Sequence, residues 1–247
     1  MSKAMILAAG LGTRLKPWTL SHPKALVPVG GIPMLSRVMD NLHARGFDDV
    51  TVNVHHFADQ IRDYLSARYP DAKISDETSL LLDTGGAILH AAPLLDLKER
   101  ESVLVHNVDI LSSAPLEELA LSHARSGADI TLMVSSRESS RRLLFERDMR
   151  LGGWIDTRTG KTKPADLPDR DDLRPLAFSG IYMISGAAIE AMGRIYGEGT
   201  PFSIIDFFLH PDHGLDIRGT IMETPDLIDI GKPDTLCRAN LVISGDQ

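Results

Sequence analysis

Two positive side chains, Arg14 and Lys24, lie on one loop behind a run of small residues, Ala8-Ala9-Gly10-Leu11-Gly12-Thr13. Small residues let backbone N–H groups approach an anion closely. Such donors, joined by a guanidinium and an ammonium, make a receptor for a polyphosphate. Two common glycine motifs are excluded. A dinucleotide fingerprint needs a third glycine or alanine after Gly10-x-Gly12, and Leu15 stands there. A P-loop closes on Gly-Lys-Ser/Thr, which Gly12-Thr13-Arg14 does not supply. Pro17 and Pro23 prevent the loop from running on as a regular helix. Further along, Ser102 to His106 reads as a buried strand ending in Asn107-Val108-Asp109. A carboxylate at the carboxyl end of a central parallel strand is a place for a hard cation. Taken alone, Asp109 reads more readily as a helix cap or a surface residue. His55 and His56 are adjacent on a strand end, so they point to opposite faces and read as a structural turn.

These residues need a scaffold, and the pattern supplies one. Ala4 to Ala8 is apolar without alternation, which suits a strand buried on both faces. After Pro33, Met34, Leu35, Val38, Met39 and Leu42 recur at helical spacing, and Gly46 ends the run. A strand over Val50–Val54, a helix over Phe57–Tyr69 and a strand over Ala72–Ser75 follow. Leu80 to Ile88 predicts a chain end facing a crevice, with Gly85 and Gly86 opening a helix whose bare backbone lies against a flat ligand. Pro115 opens a helix to about Arg125, and Asp129–Ser135 is a further strand. Alternating strands and helices indicate right-handed βαβ units and a parallel sheet. The crevice of such a sheet lies at the carboxyl ends of its strands.

Beyond Ser136 the composition changes. Arg137, Arg141, Arg142, Arg147 and Arg150 cluster there, facing either an acidic substrate or solvent. Leu143–Phe145 and Gly153–Ile155 predict a small antiparallel region with a mobile loop near 157–174. Ala177–Tyr182 reads as a strand interrupted by Ser179-Gly180, and a glycine there marks close approach of a ligand or of backbone. Helices near 186–195 and 202–209, a strand over Asp216–Met222 and a terminal helix over Thr235–Val242 complete the pattern.

A length of 247 residues fits one large α/β domain. Hydrophobic content of 43% and charged content of 24% are ordinary for a globular protein. The net charge of −8 argues against nucleic acid as the main partner. One cysteine, Cys237, excludes an internal disulfide and a cysteine-based metal site. The short N-terminal apolar run is no signal peptide, and no segment has the length of a membrane span. A cytoplasmic location is the default expectation.

Gly10-Leu11-Gly12-Thr13-Arg14-Leu15-Lys16-Pro17-Trp18-Thr19, followed by Pro23-Lys24-Ala25-Leu26-Val27-Pro28-Val29, resembles the signature of the sugar-1-phosphate nucleotidyltransferases. The stretch Leu82-Asp83-Thr84-Gly85-Gly86 is similar to the Leu-Glu-Thr-Gly-Gly of N-acetylmuramate-1-phosphate uridylyltransferases. The resemblance implies a Rossmann-like, mostly parallel sheet flanked by helices, with residues to about 135 binding nucleotide. A small antiparallel region within about 136–230 would bind the sugar phosphate, and a terminal helix would span 232–243. It implies nucleotide contacts from Ala8, Ala9, Gly10, Leu11, Gly12, Thr13, Gly85, Gly86 and Asn107, and sugar contacts from Ser179 and Gly180. It makes Asp109 a metal ligand, although Val108 replaces the usual glycine before it. Leu227-Ile228-Asp229-Ile230-Gly231-Lys232-Pro233 resembles the segment that carries the second metal carboxylate, here Asp229, with Lys232 in place of threonine. The Glu-Lys-Pro that often marks the sugar site is absent.

The implied reaction is attack of a sugar 1-phosphate on the α-phosphorus of a nucleoside triphosphate, with Mg²⁺ as cofactor. Arg14 and Lys24 would be the catalytic cations. UTP and N-acetylmuramate 1-phosphate are the expected pair. Other expectations are guanylyl or thymidylyl transfer to a mannose- or glucose-type phosphate, cytidylyl transfer to phosphocholine, and a silent nucleotide-sugar sensor. No nucleic-acid or membrane partner is expected. Whether the chain is a monomer or a homo-oligomer is left open.

Overall fold

The computed structural model describes residues 2–167, 172–223 and 227–245. Its first strands are β1 (Ser2–Leu7), β2 (Pro28–Val29), β3 (Ile32–Pro33), β4 (Phe47–Val54), β5 (Lys73–Asp76), β6 (Ser102–Asn107) and β7 (Ile110–Leu111). Then come β8 (Ile130–Ser135), β9 (Arg141–Phe145), β10 (Leu151–Asp156), β11 (Lys161–Lys163), β12 (Arg174–Ser185), β13 (Ile217–Ile221) and β14 (Ile228–Asp229). The helices are α1 (Met34–His43), α2 (Ala58–Arg68), α3 (Asp83–Leu95), α4 (Leu116–Ser126), α5 (Gly186–Tyr196), α6 (Ile204–Phe208) and α7 (Pro233–Ser244). Among the described residues no helix is long and apolar enough to cross a membrane.

β1 forms the middle of the sheet because Ala4, Met5 and Ile6 are apolar on both faces and wholly buried. The main sheet runs β5-β4-β1-β6-β12-β8-β13. β5, β4, β1 and β6 are parallel, and β12 is antiparallel to both its neighbours. Leu7 is level with Asn53 on one side and Asn107 on the other. That register brings the chain after β1, after β4 and after β6 out at one edge.

Alternation along the strands separates two cores. Ala4, Ile6, Leu104, Met133 and Ile181 face one, which α1, α2 and α4 cover. Met5, Val103, Val105, Leu132 and Tyr182 face the other, under α3, α5 and α6. The small antiparallel region joins the same sheet: β9 pairs with the start of β12, and β10 and β11 follow outward. The expected loop over 157–174 is therefore in part strand, since Lys161–Lys163 pairs with β10 and β12 begins at Arg174. Residues 168–171 of that stretch lie outside the described residues.

β12 carries the predicted interruption. Phe178 pairs with Val134 and Tyr182 with Leu132, so three residues of β12 face one of β8. Such a bulge bends a strand and re-aims its side chains. Gly180 sits in it with a φ of 75°, a conformation that favours glycine.

The two glycines of α3 do not open the helix. It starts at Asp83, and Gly85 and Gly86 lie in its first turn. Both donate their N–H to the Phe202 carbonyl, and a Cβ on Gly85 would lie 2.2 Å from the Phe202 ring. Their lack of a side chain admits the 200–202 segment, and their N–H groups are engaged there. Gly85→Ala should destabilise the protein by about 1–3 kcal/mol, the usual cost of overpacking. Urea unfolding measures it, and an unchanged midpoint would show that Phe202 moves aside freely.

Candidate active site

The loop after β1 is held from below by a buried polar relay. The Ala8 N–H donates to Asn53 Oδ1 at 2.6 Å. Asn53 Nδ2 donates to Glu77 at 2.7 Å, and the other Glu77 oxygen accepts the Leu82 N–H at 3.2 Å. One carboxylate thus ties β1, β4 and the approach to α3 together. The N–H of Ala8, one of the expected nucleotide contacts, is thus already engaged. The N–H groups of Ala9, Gly10, Leu11 and Gly12 have no partner among the described residues. They form a row of free donors at a strand end, which is what an oxyanion requires.

Beyond them the chain makes three short 3-10 turns, over Thr13–Leu15, Trp18–Leu20 and Lys24–Leu26. Gly12 enters the first with a φ of 62°, and its carbonyl accepts from the Leu15 N–H and the Thr19 hydroxyl, each at 2.9 Å. Leu15 is buried and pins the turn, which leaves Arg14 exposed beside it. The prolines forbid a long helix here, and the structure satisfies the backbone with these turns instead.

The carboxylates come from two distant parts of the chain. Asp109 follows β6, and Asp229 ends β14. β14 pairs with β7, placing Asp229 opposite Ile110, and the Ile230 N–H donates to the Asp109 carbonyl at 2.9 Å. The Gly231 N–H donates to Asp229 Oδ1 at 2.8 Å and orients that carboxylate. Lys24 Nζ is ion-paired with Asp109 Oδ2. A Cβ on Gly231 would lie 2.7 Å from Arg14 Nη2, 2.7 Å from Asp229 Oδ1 and 3.2 Å from Lys24 Nζ. Both cations and Asp229 therefore meet around one glycine, and Asp109 joins them through Lys24.

Ala9, Gly10, Lys24, Asn107 and Asp109 line a cleft of about 330 Å³, with Glu77, Asp83 and Thr84 on its other wall. Asn107 is braced by Gly180, whose added Cβ would lie 2.7 Å from Asn107 Nδ2. Gly180 thus presses on a cleft residue and is itself buried. His106 beneath is buried, and its Nδ1–H donates to the Asn107 carbonyl at 2.8 Å. Burial pushes its pKa down to about 4, so the ring is neutral at pH 7. Val108 is buried and its N–H donates to the Leu7 carbonyl at 3.1 Å. It keeps the strand end closed without moving Asp109 out of the cleft.

His55 and His56 go to separate partners: His55 Nδ1 meets the Glu77 carbonyl at 2.6 Å, and the His56 ring packs on Phe57. Ser179 is buried in the bulge. The missing Glu-Lys-Pro leaves Lys163-Pro164 in β11 and the turn after it, and Lys163 Nζ is ion-paired with Asp206 at 2.5 Å. Sequence reasoning missed Asn53, Glu77 and Gly231. Glu77 carried a signal, an acid among Ser75, Thr78 and three leucines, but its burial depends on α3 folding over it.

Residues 3–143 match the family model for "Nucleotidyl transferase". The chain belongs to the nucleotidyl transferase family. Over 146 residues, 56% of this chain and 59% of the relative, it is 39% identical to the N-acetylmuramate alpha-1-phosphate uridylyltransferase of Caulobacter vibrioides. Over 137 residues, 54% of this chain and 38% of the relative, it is 34% identical to mannose-1-phosphate guanylyltransferase 1 of Arabidopsis thaliana. The chain spans about half the length of the curated relatives it matches. A crystal structure of HddC from Yersinia pseudotuberculosis complexed with GMP-PN superposes with a TM-score of 0.78. It covers 98% of this chain and 100% of that one at 23% identity, a likeness of fold. The family match includes the loop, Lys24 and Asp109, whereas Asp229 lies beyond it and enters the site through the β7–β14 ladder.

Burial holds the Glu77 carboxyl above its ordinary value of 4.5, against the opposing hydrogen bonds from Asn53 and Leu82. A raised folded-state pKa contributes stability that is complete below the unfolded pKa and is lost as pH rises through the folded one. Glu77→Gln should therefore cost more stability at pH 4 than at pH 7. Urea titrations at both pH values test this, and the opposite order would show that Asn53 and Leu82 hold the carboxylate charged.

Proposed function

We propose that this protein transfers a nucleotidyl group from a nucleoside triphosphate to a sugar 1-phosphate and releases pyrophosphate. The carrying observation is the meeting of Arg14, Lys24 and Asp229 around Gly231, with Asp109 paired to Lys24 and residues 9–12 offering free N–H groups. The acceptor phosphate is already anionic at neutral pH, so the reaction needs no strong general base. Its difficulty is electrostatic: two anions must meet while charge builds on the leaving group. Positioned cations and donors address that difficulty.

The free donors of residues 9–12 hold the triphosphate, and Arg14 neutralises its outer phosphates. Lys24 follows the charge that develops between the α-phosphate and the acceptor. The donor set of Asp109 and Asp229 fits Mg²⁺, which binds through one or two carboxylates and completes its shell with water and substrate phosphate. Among the described residues no cluster of three or more metal-ligating side chains occurs, and Mg²⁺ needs none. When bound there, the ion would supply positive charge across the two reacting phosphates. Lys24, paired with Asp109, keeps the carboxylate compensated at other times.

UTP and N-acetylmuramate 1-phosphate are the favoured substrates. The name of the Caulobacter relative and the Leu82–Gly86 stretch support that pair. Guanylyl transfer to mannose 1-phosphate is the second reading, supported by the match to the Arabidopsis enzyme.

Pyrophosphate release should be assayed with Mg²⁺ across four nucleoside triphosphates and a panel of sugar 1-phosphates. The expected result is release with UTP and N-acetylmuramate 1-phosphate. Release with another pair would replace the substrates, and no release with any pair would remove the reaction. Arg14→Ala and Asp109→Ala should each lower kcat by roughly a hundredfold or more, with melting temperature little changed. Full activity in either purified variant would take that residue out of the mechanism. Gly231→Ala should likewise abolish most turnover, since its methyl group occupies the meeting point of the charges.

A further inference from the structure

The mechanism leaves a second polar group unexplained. Ser135 Oγ, Arg137 Nε and Ser179 Oγ are buried and have no hydrogen-bond partner among the described residues. They belong to neighbouring strands. Ser135 ends β8 opposite Ala177 of β12, and Arg137 follows two residues later. Arg137 Nη2 donates to the Phe178 carbonyl at 2.9 Å, and Ser179 is the next residue, at the bulge. That one bond fixes the guanidinium while leaving Nε without an acceptor. Burial lowers the Arg137 pKa, and the Asp229 carboxylate acts against that fall. Arginine remains charged under such shifts.

A half-buried guanidinium whose Nε–H is buried and unused is costly for a fold to keep. Three unused donors at one strand end, beside a carboxylate of the proposed site, point to a ligand that completes them. The group adjoins the cleft through the bulge: Ser179 precedes Gly180, which presses on the cleft residue Asn107, and the charge of Asp229 acts on Arg137. Lys163, from β11, is already occupied by Asp206.

We propose that Arg137, with the Ser135 and Ser179 hydroxyls, forms an anion-binding subsite for the acceptor substrate on the β8–β12 side of Asp229. This rests on the transferase reading above. A guanidinium with flanking hydroxyls matches the oxygens of a phosphate or a carboxylate. Two groups on the acceptor offer that chemistry: the reacting phosphate, and a carboxylate on the sugar such as N-acetylmuramate carries. Arg137 then determines which sugar phosphates enter.

The test uses Arg137→Met and the milder Ser179→Ala in the full chain. Binding of glucose 1-phosphate and N-acetylmuramate 1-phosphate is measured by calorimetry with a non-hydrolysable nucleoside triphosphate present, and KM values are taken for both substrates. Arg137→Met should weaken acceptor binding by about tenfold or more, as expected for a lost charge-assisted hydrogen bond. The triphosphate KM should stay put. Ser179→Ala should shift acceptor binding in the same direction by less. Equal loss for both acceptors assigns the subsite to the phosphate, and loss confined to N-acetylmuramate 1-phosphate assigns it to the carboxylate.

Acceptor binding unchanged in both variants would overturn the proposal. A lower melting temperature with equal losses for both substrates would also overturn it, since that is the mark of a structural arginine. Acceptor binding that depends on Arg137, in a protein that releases no pyrophosphate, would retain the subsite and remove the reaction. Normal turnover with wild-type acceptor binding in the variants would do the reverse.

Discussion

The backbone pairing of β7 with β14 brings two carboxylate-bearing residues to one sheet edge, and the rest of the site depends on how their charge is met. Like charges brought together repel unless cations or donors answer them. Asp109 and Asp229 are held as neighbours by the β7–β14 pairing and the bond from Ile230 to the Asp109 carbonyl. Lys24 answers the first carboxylate directly. The Gly231 N–H answers the second, and Arg14 and Arg137 stand near it from different strand ends. Backbone hydrogen bonds supply the proximity, and the basic side chains make it tolerable. The same arrangement favours any ligand that brings phosphate and a divalent cation together.

A second constraint lies under the loop. Free N–H groups are useful to an anion only if the backbone that carries them is fixed. Glu77 fixes it at a distance, through Asn53 to Ala8 on one side and through Leu82 to α3 on the other. The loop wall and the helix wall of the cleft therefore share one buried acid. Leu15 and the Gly12–Thr19 contact hold the far end of the same loop. The donors of residues 9–12 are left between two anchored ends.

The long strand β12 links the halves of the molecule. Its second half pairs with β6, which carries Asn107 toward the cleft, and its first half pairs with β9 of the small antiparallel region. The bulge between them sets Gly180 against Asn107 and leaves the Phe178 carbonyl to Arg137. The cleft strands and the small antiparallel region are thus parts of one hydrogen-bonded sheet. A change in β12 would be felt on both sides of the cleft.

Much of this was legible in the chain itself. The unbroken apolar run at Ala4–Ala8 placed the central strand, and helical spacing placed α1, α2 and α4 to within a residue or two, because those patterns follow from which faces must be buried. Arg14, Lys24 and the small residues before them marked the loop whose N–H groups the fold leaves without partners. Tertiary structure decided the rest. It decided that the Ala8 N–H belongs to Asn53, that Gly85 and Gly86 admit Phe202, and that Glu77 is buried, since each outcome depends on a segment distant in sequence. It also decided that Asp229 reaches Asp109, through a two-residue ladder too short to leave any periodicity. A sequence shows which groups can carry charge or donate, and only the folded chain shows which of them already have partners.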